Sequence, residues 1–170
     1  MFSHRNHTTK AYIGIGSNLG DRAGNLLLAI RGMTHASLVV TCLSSIYETE
    51  PVSDIEQPPF LNMVAEIGSP LPTHEQVMAR LLRIEFVLGR TREVKDGPRT
   101  IDLDLLLYGD HQSDTEFVKL PHPRLHERRF VLEPLAEIAP RLVHPVLNRT
   151  IAELLETAPD KSEVKRWAPK

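Results

Sequence analysis

Asp102 and Asp104 are the residues whose type and spacing first suggest chemistry. They stand in the run Gly97-Pro98-Arg99-Thr100-Ile101-Asp102-Leu103-Asp104. In a strand, side chains alternate, so both carboxylates face one side while Ile101, Leu103, Leu105 and Leu107 face the other. Hard cations such as Mg²⁺ take oxygen ligands, typically one or two carboxylates plus substrate phosphates. Two such ions can bridge a polyphosphate and offset charge during its transfer. Arg99 lies just before the pair and suits a phosphate oxygen. An isolated D-x-D is more often the exposed face of an edge strand. Here aspartate is depleted in strands, and a cationic loop lies directly upstream. That loop runs from Gly89 to Gly97 and carries Arg90, Arg92 and Lys95. Its apolar-poor composition predicts mobility, and it could close over a polyphosphate. Alone, such a loop is more often solvated surface.

Other phosphate signatures are weak or missing. Gly14-Ile15-Gly16-Ser17-Asn18-Leu19-Gly20 resembles a dinucleotide fingerprint, but its third glycine comes one residue late. No G-x-x-x-x-G-K-[ST] occurs, so any phosphates would be held by metal and arginine. His122 and His126 are four apart, yet Pro123 between them opposes a continuous helix, and no H-E-x-x-H accompanies them. A zinc pair is not expected.

The elements that must position these groups follow from periodicity. Residues 11–16 read as a strand ending in a glycine turn. Leu26, Leu27, Ile30 and Met33 predict a helix over 22–35. Residues 38–48 read as one strand and 60–67 as another, with a proline-rich loop over 50–59 between them. Thr73 and Gln76 form a capping box ahead of the stripe Val77, Leu81, Ile84 and Leu88, which Gly89 ends. Residues 100–108 read as a strand. Helices are expected over 126–138 and 150–157, the latter with a Thr150–Glu153 box. The order predicts an α+β fold with a ferredoxin-like βαββαβ core. Its sheet should be mostly antiparallel, with helices packed on it and extra C-terminal helices. Residues 1–10 are expected as a flexible tail, 11–160 as a single domain and 161–170 as a C-terminal tail.

Composition narrows the class. The chain has 170 residues, 41% hydrophobic and 25% charged, with a formal net charge of -2. These are globular values, and a domain of this size needs no disulfide or structural metal to hold a core. The net charge offers no global field for nucleic acid. The single cysteine, Cys42, excludes an internal disulfide framework and suits a reducing, cytoplasmic setting. A strand thiol is usually buried. No apolar run approaches the length of a membrane span.

Several motifs in order extend the reading beyond the acidic pair. They are the Ala11-to-Asp21 segment, Tyr47-x-Thr49, Gln57-Pro58-x-Phe60-Leu61-Asn62, the Gly97-to-Asp104 block, Leu120-Pro121-His122-Pro123, and Arg128-x-Phe130-Val131-Leu132-x-Pro134-Leu135. Together they resemble the hydroxymethyldihydropterin pyrophosphokinase family of folate biosynthesis over residues 11–140. The resemblance implies transfer of a pyrophosphoryl group from ATP to the hydroxymethyl group of a reduced pterin, giving AMP and the pterin diphosphate. It implies that Asp102 and Asp104 hold two Mg²⁺ ions against ATP, the co-substrate. Arg90, Arg92 and Arg99 would meet phosphate oxygens. Glu85, the main chain of Leu105, His122 and Arg128 would lie at the nucleotide. Phe60 and Phe130 would sandwich the pterin ring, with Asn62 and main-chain groups near Thr49 and Val52 at its polar edge.

Residue chemistry fits that division. A flat heteroaromatic ring suits two aromatic faces, and its amide-like edge suits an asparagine's donor and acceptor. By residue type alone, Phe60 and Phe130 read as core. No side chain is an obvious general base, and a loose phosphoryl-type transition state needs positioning and charge stabilisation more than deprotonation. Asp96 stands where the family often has an aromatic residue, Phe117 where a basic one sometimes occurs, and Leu82 where some members have glutamine. Small-molecule substrates, no nucleic acid, no membrane and a monomer are expected. One alternative is another Mg²⁺-dependent, nucleotide-using D-x-D transferase. A second is a ferredoxin-like RNA-binding module. Aromatics at 5% and the absence of an RNP-type segment speak against the RNA-binding reading.

Overall fold

The computed structural model describes residues 9–52, 54–91 and 96–169. Eight strands and four α-helices occur among them. They are β1 (Ala11–Ser17), α1 (Arg22–His35), β2 (Val39–Leu43), β3 (Tyr47–Thr49), β4 (Phe60–Gly68), α2 (His74–Val87), β5 (Asp102–Tyr108), β6 (Ser113–Asp114), β7 (Lys119–Leu120), α3 (Arg129–Ile138), α4 (Ile151–Glu156) and β8 (Val164–Arg166). The main sheet runs β5-β1-β4-β3-β8, with β2 also paired to β4. Every pairing in it is antiparallel.

Local chemistry explains the ends of the helices. Asp21 caps α1 by accepting the Gly24 N–H. The Thr73–Gln76 and Thr150–Glu153 capping boxes both form, satisfying N–H groups that the first turn leaves open. Gly89 takes a φ of +77° just past α2, a conformation that costs glycine little.

The sheet is covered on both faces. One core holds Ile13 and Ile15 of β1, Met63 and Ala65 of β4, and Leu103 and Leu105 of β5 against α1 and α2. The second holds Tyr12, Val64 and Leu106 against α3 and α4. Burying a side chain such as Leu26 or Leu132 contributes about 1.5–3 kcal/mol before chain entropy is counted. The second core covers only part of its face. Near the Gly16 end, that face is left to polar residues.

Five expectations need correction. The single strand over 38–48 is two strands, β2 and β3. The helix expected over 126–138 begins at Arg129, after a 3₁₀ turn at Leu125–Glu127. Residues 161–170, expected as a tail, include β8, which pairs with β3 and brings Trp167 against the first core. Leu107, expected beside Leu105, packs in the second core. A register shift between Tyr12 and Ile13 breaks the alternation of β5 at that point. Cys42 is exposed. Of the expected N-terminal tail, residues 1–8 lie outside the described residues. No helix among the described residues is long and apolar enough to cross a membrane.

Candidate active site

Two rungs of the sheet build the floor of the site. Asn62 of β4, Gly16 of β1 and Asp102 of β5 lie side by side, and Val64, Gly14 and Asp104 form the next rung. Residues of this parity face away from the first core, as the alternation of D-x-D predicts. The glycine at the centre has a steric reason. A Cβ on Gly16 would come within 2.8 Å of Asn62 Oδ1, so a side chain there would displace the amide. Asn62 is buried, and its Nδ2 donates to Thr49 Oγ1 at 2.8 Å.

These rungs open into a cavity of about 430 Å³. Thr49, Val52, Phe60, Asn62, Arg99, Asp102, Asp104, Arg128 and Phe130 all line it, so nine of the residues singled out from sequence meet there. Neither aromatic is fully buried, which corrects the residue-type reading of both as core. Each has a guanidinium over its ring. Arg99 sits 5.6 Å from the Phe60 centroid, and Arg128 sits 5.6 Å from that of Phe130, within cation–π range.

The two aspartates differ in their partners. Asp102 Oδ1 pairs with Arg90 Nη1 at 2.7 Å, and its Oδ2 accepts from Arg99 Nη1 at 2.9 Å. Asp104 accepts no hydrogen bond among the described residues. Burial, and next the charge of Asp102, push its carboxyl up to about 7, against the pull of Arg128. Beside it, Asp102 is held by two guanidinium groups. Neighbouring carboxylates are the donors that hard divalent cations prefer, and a bound cation would reverse the upward push on Asp104. The residues present therefore fit such an ion.

Behind the pair, Glu85 is buried on α2 and pairs with Arg90. It also accepts the Leu103 N–H at 2.7 Å. This ties the helix to β5, although burial still holds its carboxyl above the ordinary value. Glu85, expected at the nucleotide, thus spends one oxygen on architecture. Glu85, Arg90, Leu105 and His122 lie outside the cavity wall. Arg90 reaches the site through Asp102, while the Leu105 side chain belongs to the first core. The main chain of Leu105 runs along β5, the edge strand. There the Leu106 carbonyl accepts the His122 N–H at 2.9 Å. Burial first, then Arg128, press the His122 imidazole down to about 4, so it is neutral at neutral pH. Burial and Arg124 likewise lower the Arg128 guanidinium. Arg92 lies outside the described residues.

Sequence reasoning named Asp96 only as a departure from the family pattern and gave Arg124 and Asn18 no site role. Asp96 and Arg124 line the cavity, and Asp96 has a φ of +56°, which aspartate tolerates better than bulky residues. Arg124 stands between two histidines already singled out. Asn18 is 1% exposed and joins three segments. A polar amide directly after a strand was the available signal for it.

A sheet face carrying oxygen donors and guanidinium groups beside an aromatic-walled slot suits the class of metal-assisted phosphoryl-type transferases. Comparison with known proteins makes the class particular. The family described as 7,8-dihydro-6-hydroxymethylpterin-pyrophosphokinase (HPPK) matches residues 12–140. The chain is 44% identical over 161 residues to the 2-amino-4-hydroxy-6-hydroxymethyldihydropteridine pyrophosphokinase of Bacillus subtilis (strain 168), covering 94% of this chain and 91% of that one. It is 42% identical over 159 residues to the enzyme of that name from Methylorubrum extorquens, covering 93% and 98%. A crystal structure of Plasmodium falciparum HPPK-DHPS superposes with a TM-score of 0.66 at 15% identity. The match covers 91% of this chain but only 46% of that longer one, and it supports the fold. The chain belongs to the HPPK family.

Proposed function

We propose that this chain transfers the pyrophosphoryl group of ATP to the hydroxymethyl group of 6-hydroxymethyl-7,8-dihydropterin, in folate biosynthesis. The carrying observation is the shared rung Asn62–Gly16–Asp102. It sets an amide for the acceptor's edge on the same sheet face as the acidic pair. The pterin lies between Phe60 and Phe130, with Asn62 and the main chain near Thr49 and Val52 reading its polar edge. The triphosphate runs toward Asp102 and Asp104, which hold Mg²⁺, two ions in this reading. Those ions supply charge stabilisation at the phosphate oxygens when bound.

The protein's own groups do the rest. Arg90 and Arg99 neutralise Asp102 in the structure, and the same guanidinium forks suit phosphate oxygens. Arg92 belongs to the same loop. Arg128 and the neutral His122 face the nucleotide, and the edge-strand main chain of Leu105, with Glu85 behind it, lies beside the base. The acceptor oxygen attacks the β-phosphorus in line. The bond from that phosphorus to the α–β bridging oxygen breaks, AMP leaves and the hydroxyl proton passes to solvent. Catalysis by positioning and charge stabilisation needs no strong base.

The antiparallel order β5-β1-β4 with β2 and β3 beyond supports the ferredoxin-like reading of the core. A single domain from residue 11 through β8, a cytoplasmic setting and a monomer complete the proposal. Product analysis with ATP, Mg²⁺ and the pterin tests it. AMP and pterin diphosphate are expected, whereas ADP would mean transfer of one phosphoryl group and a different reaction.

A further inference from the structure

A closed circuit of hydrogen bonds runs along the cavity wall through Gln57, Asp96 and Arg99 and is centred on Asn18, which does not line the cavity. Asn18 follows β1 and is 1% exposed. Its backbone N–H donates to the Arg99 carbonyl at 3.1 Å, and its Oδ1 accepts the Arg99 N–H at 2.8 Å. One residue is thus gripped at both of its peptide groups. The Asn18 Nδ2 donates to Gln57 Oε1 and to the Pro58 carbonyl, both at 3.0 Å. Gln57 Nε2 then donates to the Asp96 carbonyl at 3.0 Å, and the chain from Asp96 to Arg99 closes the ring.

The ring joins two loops, each leading into one half of the site, that lie outside the paired strands. Residues 57–59 lead into Phe60 and Asn62, on the acceptor side. Residues 96–99 carry Arg99, on the phosphate side. Arg22 of α1 reinforces the first half by donating to the Pro59 carbonyl at 2.8 Å. A buried primary amide is costly unless its donors and acceptor are all used, and Asn18 uses them all between these two loops. An apolar residue would fill the same space without fixing the position of either loop.

We propose that Asn18 and Gln57 are positioning residues whose amide relay locks the acceptor loop and the Arg99 loop into one register. This rests on the pyrophosphokinase reading only for which rate is affected. Misplacement of reacting groups by about 1 Å can cost on the order of 100-fold in rate. Loss of the relay therefore acts on kcat more than on binding of either substrate alone.

The test uses Gln57→Met, which keeps the volume and removes the amide bonds to Asn18 and to the Asp96 carbonyl at a partly exposed site, together with Asn18→Ala and the double variant. Gln57→Met is expected to keep its circular dichroism spectrum and to lose about tenfold or more in kcat. Its KM for ATP and for pterin should each stay within about threefold. The double variant should lose no more than Asn18→Ala alone, because a shared path is not additive. Amide hydrogen exchange gives a readout free of turnover. The Arg99 N–H, which Gln57 does not bond, should exchange about tenfold faster in Gln57→Met. A kcat within twofold of wild type, additive losses, or unchanged Arg99 exchange would each overturn the relay. Failure of the wild type to form AMP would instead overturn the pyrophosphokinase reading, and the exchange measurement would still decide on the relay. If Asn18→Ala does not fold, Gln57→Met decides by itself.

Discussion

Two acidic side chains, two strands apart in one sheet, are treated in opposite ways. Glu66 on β4 is 7% exposed, and its carboxylate is fully engaged. It accepts from Tyr12 Oη at 3.0 Å and Thr41 Oγ1 at 2.7 Å, and pairs with Lys10 at 2.9 Å. Burial works to raise its carboxyl, but the hydrogen bonds from Thr41, Lys10 and Tyr12 outweigh burial and hold it below the ordinary value. Asp104 on β5 accepts nothing from the described residues, and burial with the nearby Asp102 charge pushes it up. Both are polar groups set into a sheet, where an unsatisfied charge is expensive. The first has its partners built in, and its role is to hold strands β1, β2 and β4 together. The second has no such partners among the described residues, and in that the candidate site differs from a structural network.

The contrast breaks most visibly at the acidic pair. Asp102→Asn and Asp104→Asn should each lose about 100-fold or more in turnover, the scale of removing one preorganised electrostatic group, and Asp104→Asn should melt no lower than wild type. Thermal unfolding and steady-state rates on the same samples check both halves. A wild-type rate in either variant would remove its assigned metal role. Glu66→Gln is the reciprocal case. It should keep turnover and lose about 2 kcal/mol of stability, as expected for hydrogen bonds to a charged group. Chemical denaturation measures that loss, and a dead but stable Glu66→Gln would erase the distinction between the two acids.

How far this contrast was legible in the sequence follows from particular residues. D-x-D ahead of a leucine run exposes its alternation directly, so the placement of Asp102 and Asp104 on one face was readable. The capping boxes at Thr73 and Thr150 were readable because a cap is local. Glu66 was not, since nothing in a half-alternating strand reveals that β4 is central and covered on both faces. The bond from Glu85 to the Leu103 N–H spans 18 positions, and the Asn18 circuit spans 39 and 81. Such pairings are set by topology, which single-residue chemistry does not encode. The break between β2 and β3 and the pairing of β8 escaped for the same reason.

Asn62 sharpens the comparison from within the site. Like Glu66 it is a buried polar group on β4, but its amide is only half committed, through Nδ2 to Thr49. Asn62→Ala should raise the KM for pterin by about tenfold, in keeping with one polar contact left unpaired, and leave the KM for ATP within about twofold. An equal rise for both substrates would place the amide outside the acceptor slot.

The smallest effect concerns His122, a half-buried imidazole beside Arg128. Its folded value is about 4, against 6.5 for an ordinary histidine, with burial the main cause and Arg128 the second. Between those values the unfolded chain binds a proton that the folded chain refuses. The contribution of the neutral imidazole is therefore whole above pH 6.5 and is lost as pH falls toward 4. His122→Gln cannot titrate, so its stability should fall less than wild type's across that window, by on the order of 1 kcal/mol. Denaturation midpoints at pH 7 and pH 4.5 for the two proteins give the comparison. Parallel pH profiles would mean that His122 meets solvent freely and is charged alongside Arg128. A group so easily protonated would belong with the exposed surface and not with the buried acids and amides that shape the site.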